Sequence, residues 1–265
     1  MKRVLTVQDL SCVGRCSLTV ALPVLSAMGI QAAALPTAVL STHTAFPDPE
    51  VVSLTDSLVP FANHWKDRGI GFDAISLGYL SDPRQAEAAL EIAESFDCPL
   101  ILDPVMGDGG RLYSRITREH IAAMQRLCAK AEVALPNVTE AAFLTGSQYR
   151  AEPDEDYLSG LAGKLLKLGV KNVVITGIRW SENAIGWYYR GESGSGKGAY
   201  DYVPRNFHGT GDLFAAVFCG SYVNHKDIPT AAEKAAEFVR RCVAATEEIT
   251  PFGVEFEKEL AYLCN

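Results

Sequence analysis

The run His208-Gly209-Thr210-Gly211-Asp212-Leu213-Phe214-Ala215-Ala216 sets two glycines and a threonine directly before an aspartate that opens an apolar helical pattern. Glycine lets the backbone turn until several N–H groups converge on one point, and the start of a helix adds partial positive charge there. Such a point holds phosphate. An aspartate in the same turn lies within reach of a hydroxyl placed in line with that phosphate and can take its proton as the oxygen attacks. The chemistry on offer is therefore phosphoryl transfer to an alcohol, with Asp212 as base and the amides of Gly209, Thr210 and Gly211 as anion donors. A plain N-cap, in which Thr210 or Asp212 closes the helix without chemistry, is the alternative reading of the same residues.

Other polar residues fall where such a site needs them. Asp9 follows the first strand-like run, Thr42-His43-Thr44 the second and Gly78-Tyr79 another. Asp103-Pro104-Val105-Met106-Gly107-Asp108, Pro136-Asn137-Val138-Thr139-Glu140 and Thr176-Gly177 each follow a further one. In open α/β sheets ligands collect at the carboxyl ends of the strands. Any one of these residues alone would read as a turn or cap; together they trace the rim of a site.

The elements that must carry this rim alternate between short β-rich runs and amphipathic helical ones. Strands are expected at Val4 to Gln8, Ala32 to Pro36, Ala74 to Leu77, Leu100 to Asp103, Glu132 to Leu135 and Val173 to Thr176. Helices are expected at Ser17 to Met28, Val51 to Arg68, Pro83 to Phe96, Thr117 to Lys130, Thr139 to Thr145 and Asp154 to Leu168. Ala184 to Arg190 and Ala199 to Val203 suggest an antiparallel hairpin, and helices near Thr210 to Asn224 and Thr230 to Glu247 close the chain. The order predicts a mostly parallel central sheet with helices on both faces, an α/β three-layer αβα sandwich spanning residues 1–265 as a single domain.

Gly191-Glu192-Ser193-Gly194-Ser195-Gly196-Lys197-Gly198 matches most of a P-loop, but Gly198 stands where a Ser or Thr should meet magnesium. A β pattern resumes at Ala199 where a P-loop would enter a helix, so a flexible hairpin tip is expected.

Composition bounds the remaining possibilities. The chain of 265 residues is 48% hydrophobic, enough for a sizeable core, and its net charge of −8 argues against a broad nucleic-acid or anionic-membrane surface. No apolar run approaches a membrane span and Met1-Lys2-Arg3 leads straight into a strand-like segment, so a cytoplasmic location is expected. Seven scattered cysteines fit reduced thiols, and the close pair Cys12 and Cys16 lacks the partners of a zinc site.

Gly209-Thr210-Gly211-Asp212, Asp103-Pro104-Val105-Met106-Gly107-Asp108 and Pro136-Asn137-Val138-Thr139-Glu140 resemble the signatures of the ribokinase superfamily. More narrowly they resemble its pyridoxal kinase branch, because Ser41-Thr42-His43-Thr44, Gly78-Tyr79-Leu80 and Val173-Val174-Ile175-Thr176-Gly177 occur in the order that branch has them. The resemblance covers nearly the whole chain and implies a ribokinase-like fold. It also implies ATP-dependent phosphorylation of the hydroxymethyl group of a B6 vitamer: pyridoxal, pyridoxine or pyridoxamine.

By the same resemblance Asp212 is the general base and Gly209, Thr210 and Gly211 form the anion hole. Asp103 and Glu140 would hold Mg²⁺, largely through water, with Asp108 and Asn137 near the phosphates and Thr176 and Gly177 along the nucleotide. The capping-box spacing of Asn137 and Glu140 is the structural alternative for that pair. Tyr79 would lie against the pyridine ring, with Thr42, His43 and Thr44 lining the same pocket. A monovalent cation near the nucleotide and a homodimer also belong to what the family implies.

The chain departs from the pattern at Asp9, where many pyridoxal kinases carry a serine that contacts the ring, with Ser11 close by as another candidate. A carboxylate there favours a protonated ring nitrogen. It departs again at Leu135, where a threonine is often found beside the nucleotide. Ala45-Phe46-Pro47-Asp48-Pro49 and Gly107 to Tyr113 are placed to act as lids that exclude water, or else as ordinary surface loops. A hydroxymethylpyrimidine kinase and a non-catalytic nucleotide or vitamer sensor are the competing functional readings.

Overall fold

The structure, a computed structural model, describes residues 1–192 and 194–264. Ser193, in the glycine-rich run, and Asn265 lie outside the described residues. In chain order the elements are β1 (Arg3–Ser11), α1 (Leu18–Ala27), β2 (Gln31–Leu40), β3 (Val51–Ser53), α2 (Leu58–Asp67), β4 (Ala74–Leu77), α3 (Pro83–Ser95), β5 (Leu100–Leu102), β6 (Gly107–Asp108), β7 (Arg111–Leu112) and α4 (Arg118–Cys128). There follow β8 (Val133–Ala134), α5 (Val138–Thr145), α6 (Glu155–Leu168), β9 (Asn172–Ser181), β10 (Ala184–Gly191), β11 (Gly194–Asp201), α7 (Thr210–His225) and α8 (Ile228–Ala245).

Among the described residues nine strands form one sheet in the order β11-β10-β9-β8-β5-β4-β1-β2-β3. The strands from β9 to β2 in that order run parallel; β3 at one edge pairs antiparallel with β2, and at the other edge β10 pairs antiparallel with both β9 and β11. Side chains on a strand alternate between its faces, and the sequence supplies an apolar residue to each. Val4, Ala74, Ile101, Val133 and Val174 enter a core shared with α1, α7 and α8. Leu5, Ile75, Leu102, Val173 and Ile175 enter the opposite one, against α2 to α6. Burying each Val, Leu or Ile side chain in these cores contributes about 1.5–3 kcal/mol, the main term that flattens the sheet between two helical layers.

The position of the site follows from the connections. From β1 the chain passes through α1 to β2 on one side; from β2 it returns through α2, on the other face, to β4 on the far side of β1. The carboxyl ends of β1 and β4 thus flank a topological switch point, where adjacent loops diverge and leave a crevice.

Two expectations are corrected here. Val51 to Arg68 is not one helix: Val51–Ser53 pairs antiparallel with Ala38–Leu40, and the helix starts only at Leu58. β-Branched Val51 and Val52 suit an edge strand, and Pro60 is tolerated in a helix's first turn, where its missing N–H costs nothing. Of the glycine-rich run, residues 194–198 are strand and not a flexible tip, because Gly194–Asp201 pairs residue by residue with Ala184–Gly191. Gly198 gives room to the indoles: a Cβ there would lie 2.5 Å from Trp187 Nε1, and Trp180 Nε1 donates to the Gly198 carbonyl at 3.0 Å. The Gly107 to Tyr113 loop contains a two-residue hairpin, β6 with β7, which short-range sequence patterns did not announce.

Candidate active site

The turn before α7 has the shape its glycines suggest. Gly209 sits at φ +85° as the N-cap, and a Cβ there would stand 2.1 Å from the Arg15 carbonyl oxygen. Only glycine fits between that carbonyl and a left-handed backbone. Leu213 N–H closes the first turn on the Gly209 carbonyl at 2.9 Å, and the amides of Thr210, Gly211 and Asp212, which have no acceptor within a helix, converge at its positive end. The Thr210 hydroxyl turns back to the Phe207 carbonyl at 3.4 Å, and nothing lies within 4 Å of where a Cβ on Gly211 would be.

Asp212 is half-buried on this turn. Its carboxyl is pushed up to about 7, first by burial and then by the charge of Asp9, against the pull of the Ser17 amide. Asp9 is buried at the end of β1; its Oδ2 accepts from the Ser11 hydroxyl at 2.9 Å and its Oδ1 from the Ser17 hydroxyl at 2.5 Å. Burial raises the Asp9 carboxyl and the two hydroxyls hold it back. The Cys16 thiol, pushed up to about 12 by burial and then by Asp212 and Asp9, faces both carboxylates. Tyr79, half-buried after β4, is raised by burial and by Asp9, with Arg115 opposing. Asp9, Ser11, Cys16, Ser17, Tyr79 and Asp212 therefore share the crevice at the switch point.

His43 closes its rim. Its Nε2–H donates to the Pro251 carbonyl at 2.7 Å and its Nδ1 accepts from the Ala45 amide at 3.2 Å, a pair of partners that fixes the neutral tautomer. The ring packs edge-on against Phe46 at 5.0 Å and against His208 at 5.5 Å, and Phe46 meets Phe252 at 5.6 Å. With both nitrogens taken, His43 latches three segments of chain to one another. Thr42 is half-buried and Thr44 exposed on the same loop.

A second group of carboxylates also acts together with Asp212. Asp103, half-buried after β5, is raised well above its ordinary value by burial and then by the charges of Glu140 and Asp212. Buried Glu140 accepts from the Met106 amide at 3.0 Å and the Asn137 amide at 2.9 Å, and burial still pushes it up to about 7. Asn137 Oδ1 accepts from the Glu140 amide at 2.9 Å, which completes a capping box on α5, while its Nδ2 donates to the Gly107 carbonyl at 2.8 Å. Gly110 N–H donates to Thr139 Oγ1 at 2.9 Å. The β6–β7 hairpin is thereby tied to the start of α5. Asp108, exposed on that hairpin, accepts from the Gly109 amide at 2.7 Å.

Thr176 lies beside Asn137 and donates its amide to the Pro136 carbonyl at 2.9 Å. Gly177 follows in a bulge of β9 at φ +65°, exposed to solvent. Leu135 is buried in the core with α7 and turns no polar group to this rim.

Sequence reasoning missed three participants. Tyr113 is raised by burial and then by Glu140, Asp108, Asp103 and Asp212, so it stands over the carboxylates from the hairpin. Cys16 and Ser17 border both Asp9 and Asp212; their one sequence signal was their place just before a helix. Two surface depressions of about 410 and 610 Å³, one around Tyr157 and Lys164 and one around Tyr200 and Glu237, contain none of these carboxylates.

The donor set suits one kind of metal. Among the described residues no three His, Cys, Asp or Glu side chains come close enough to enclose an ion. Asp103 and Glu140 nevertheless face one another with no cation among the groups that act on them. Mg²⁺, which binds through one or two carboxylates and takes its other ligands from water and phosphate, fits such a pair.

Residues 22–254 match the family described as phosphomethylpyrimidine kinase. This chain belongs to that family. Its ribokinase-like fold is shared with the pyridoxal kinase of Lactobacillus plantarum, at 33% identity and a TM-score of 0.92 over 99% of this chain and 96% of that one. A Bacteroides thetaiotaomicron protein, provisionally assigned as a phosphomethylpyrimidine kinase and crystallised with pyridoxal, matches at 35% identity and a TM-score of 0.93, over 99% and 95% of the two chains. The hydroxymethylpyrimidine/phosphomethylpyrimidine kinase of Streptomyces coelicolor is 31% identical over 66% of this chain and 64% of its own length, a little under two thirds of that relative. Membership makes the protein a kinase with ATP as phosphoryl donor. No helix among the described residues is long and apolar enough to cross a membrane.

Proposed function

We propose that this kinase phosphorylates the hydroxymethyl group of a B6 vitamer. One observation carries the reading: Asp212, at the amide-rich start of α7, is raised by the charge of Asp9, which also acts on Tyr79, and in turn raises Asp103, the partner of Glu140. An acceptor alcohol beside Asp9 and a phosphoryl group beside Asp103 would meet at this carboxylate.

Asp212 takes the hydroxyl proton as the oxygen attacks, a role suited to a carboxyl raised to about 7. The amides of Gly209, Thr210 and Gly211 hold the charge that builds on the transferred group; one such donor is worth on the order of 3 kcal/mol of barrier. Tyr79 offers an aromatic face to an aromatic acceptor, and Asp9 with Ser11 contacts its ring. Thr42, His43 and Thr44 line the rim. Asp103 and Glu140 would hold Mg²⁺, which when bound would offset the phosphate charge of ATP. Asp108 and Asn137 lie near the phosphates, Asn137 chiefly by fixing Gly107, and Thr176 and Gly177 run along the nucleotide.

Hydroxymethylpyrimidine is the second reading, favoured by the family match and by the Streptomyces relative. ADP release with Mg-ATP and each of pyridoxal, pyridoxine, pyridoxamine and hydroxymethylpyrimidine separates the two. Turnover with a vitamer that is lost in Asp212→Asn supports the proposal; turnover with the pyrimidine alone overturns it, and none with any acceptor leaves a non-catalytic binder.

A further inference from the structure

Ser17 holds the N-cap of α1, where a serine ordinarily turns its hydroxyl onto the amides of its own helix, yet it makes no such bond. Its hydroxyl donates instead to Asp9 Oδ1 at 2.5 Å, while its amide faces Asp212. One residue thus bonds the carboxylate carried by β1 and acts on the one carried by α7. The backbone that allows this is strained. Ser17 is buried at φ +48° and ψ −127°, one of the few non-glycine residues at positive φ. Glycine would take that conformation freely, so the side chain is kept at a cost in strain, and what it supplies is the bond to Asp9.

Among the described residues Asp9 forms no ion pair. Its bonds come from the hydroxyls of Ser11 and Ser17, and burial, then the nearby His208, favours the neutral form of the His43 ring, against the pull of the Pro251 carbonyl. A carboxylate fixed by two hydroxyls and left without a counter-ion is set to receive an N–H from the acceptor. We infer that Ser17 is a positioning residue for the acceptor: it orients Asp9 toward a protonated nitrogen of a heteroaromatic alcohol and holds that carboxylate in register with Asp212. This rests on the kinase reading above and adds to it a residue that the sequence did not assign.

The test uses the full chain as wild type, Ser17→Ala, Ser17→Gly, Asp9→Asn and the Ser17→Ala/Asp9→Asn double variant. Calorimetric Kd for pyridoxine is measured without nucleotide, and acceptor and ATP KM with Mg-ATP. Both Ser17 variants are expected to bind pyridoxine about tenfold more weakly, the loss of one bond to a charged group, with the KM for ATP unchanged. In the Asp9→Asn background Ser17→Ala is expected to add little further loss. Ser17→Gly is expected to melt at or above the wild-type temperature, so that its binding defect cannot come from a damaged fold. A wild-type Kd in Ser17→Gly, full additivity with Asp9→Asn, or failure of the wild type to bind any vitamer overturns the inference. The kinase reading fails on a different measurement, persistence of turnover in Asp212→Asn.

Discussion

Asp9 and Asp212 come from different layers of the sandwich, one from the end of β1 and the other from the first turn of α7, and each charge acts on the same crevice. Burial raises both carboxyls, and the charge on Asp9 raises Asp212 further, to about 7. The proposed acceptor floor and the proposed base therefore form one electrostatic unit.

The first prediction concerns the pH dependence of turnover. A base must be ionised to accept a proton, so kcat/KM for the acceptor should fall as pH drops through about 7. Asp9→Asn removes the neighbouring charge but leaves the burial, which is the larger cause. Its acidic limb should move to lower pH without reaching that of an ordinary carboxylate, even as the acceptor KM rises. An unmoved limb in Asp9→Asn would separate the two residues.

The second concerns the stability of the ligand-free protein. Asp212 and Glu140, both raised to about 7, bind protons in the folded state that an unfolded chain has already released between about pH 4 and 7. Their contribution is fully present below the unfolded carboxyl range and is lost as pH rises through 7. The melting temperature without ligand should therefore be lower at pH 8 than at pH 6, and added Mg²⁺ should recover part of the difference by binding the ionised, folded form. A melting temperature that climbs from pH 6 to 8 would show that these groups do not govern stability.

Much of this arrangement is legible in the sequence, and the reasons are local. Ala74–Leu77 is bounded by turn formers and rich in apolar residues, so pattern alone places it to the residue. Gly209 and Asp212 are legible because a turn of that kind leaves few residue choices. Val51–Ser53 is misread because three residues carry no periodicity, and what decides them is the free edge of β2. The glycine-rich strand is misread because Gly198 answers to Trp180 and Trp187 across the sheet, a tertiary cause. Ser17 is silent for a similar reason: its partners Asp9 and Asp212 are brought together only by the fold.

The third prediction tests the tight turn. Gly209→Ala would push a methyl to within 2.1 Å of the Arg15 carbonyl and force a side chain onto φ +85°. The Arg15 loop cannot retreat cheaply, because its amide is bonded to the Phe252 carbonyl at 2.9 Å and its guanidinium to Glu257 at 2.7 Å. A loss of stability on the order of 2 kcal/mol is expected from the strained backbone, with a larger drop in kcat than in ATP affinity. Chemical denaturation with steady-state kinetics measures both.

The last prediction separates the structural and chemical duties of the α5 start. Asn137→Ala removes the cap on α5 and the bond to the Gly107 carbonyl, so about 1 kcal/mol of stability should go and the β6–β7 hairpin should loosen. Exposed Arg111 lies in that hairpin and exposed Arg115 just after it, and trypsin should cut after them faster in the variant, read by mass spectrometry of timed digests. Glu140→Gln keeps one acceptor for the Met106 or Asn137 amide but loses the charge that faces Asp103. Its hairpin should stay protected while the Mg²⁺ concentration for half-maximal turnover rises about tenfold or more, the usual consequence of losing a group that orders a metal's water shell. Equal Mg²⁺ dependence in wild type and Glu140→Gln would leave Glu140 a helix cap and nothing else, because the capping bonds account for its position without any ion.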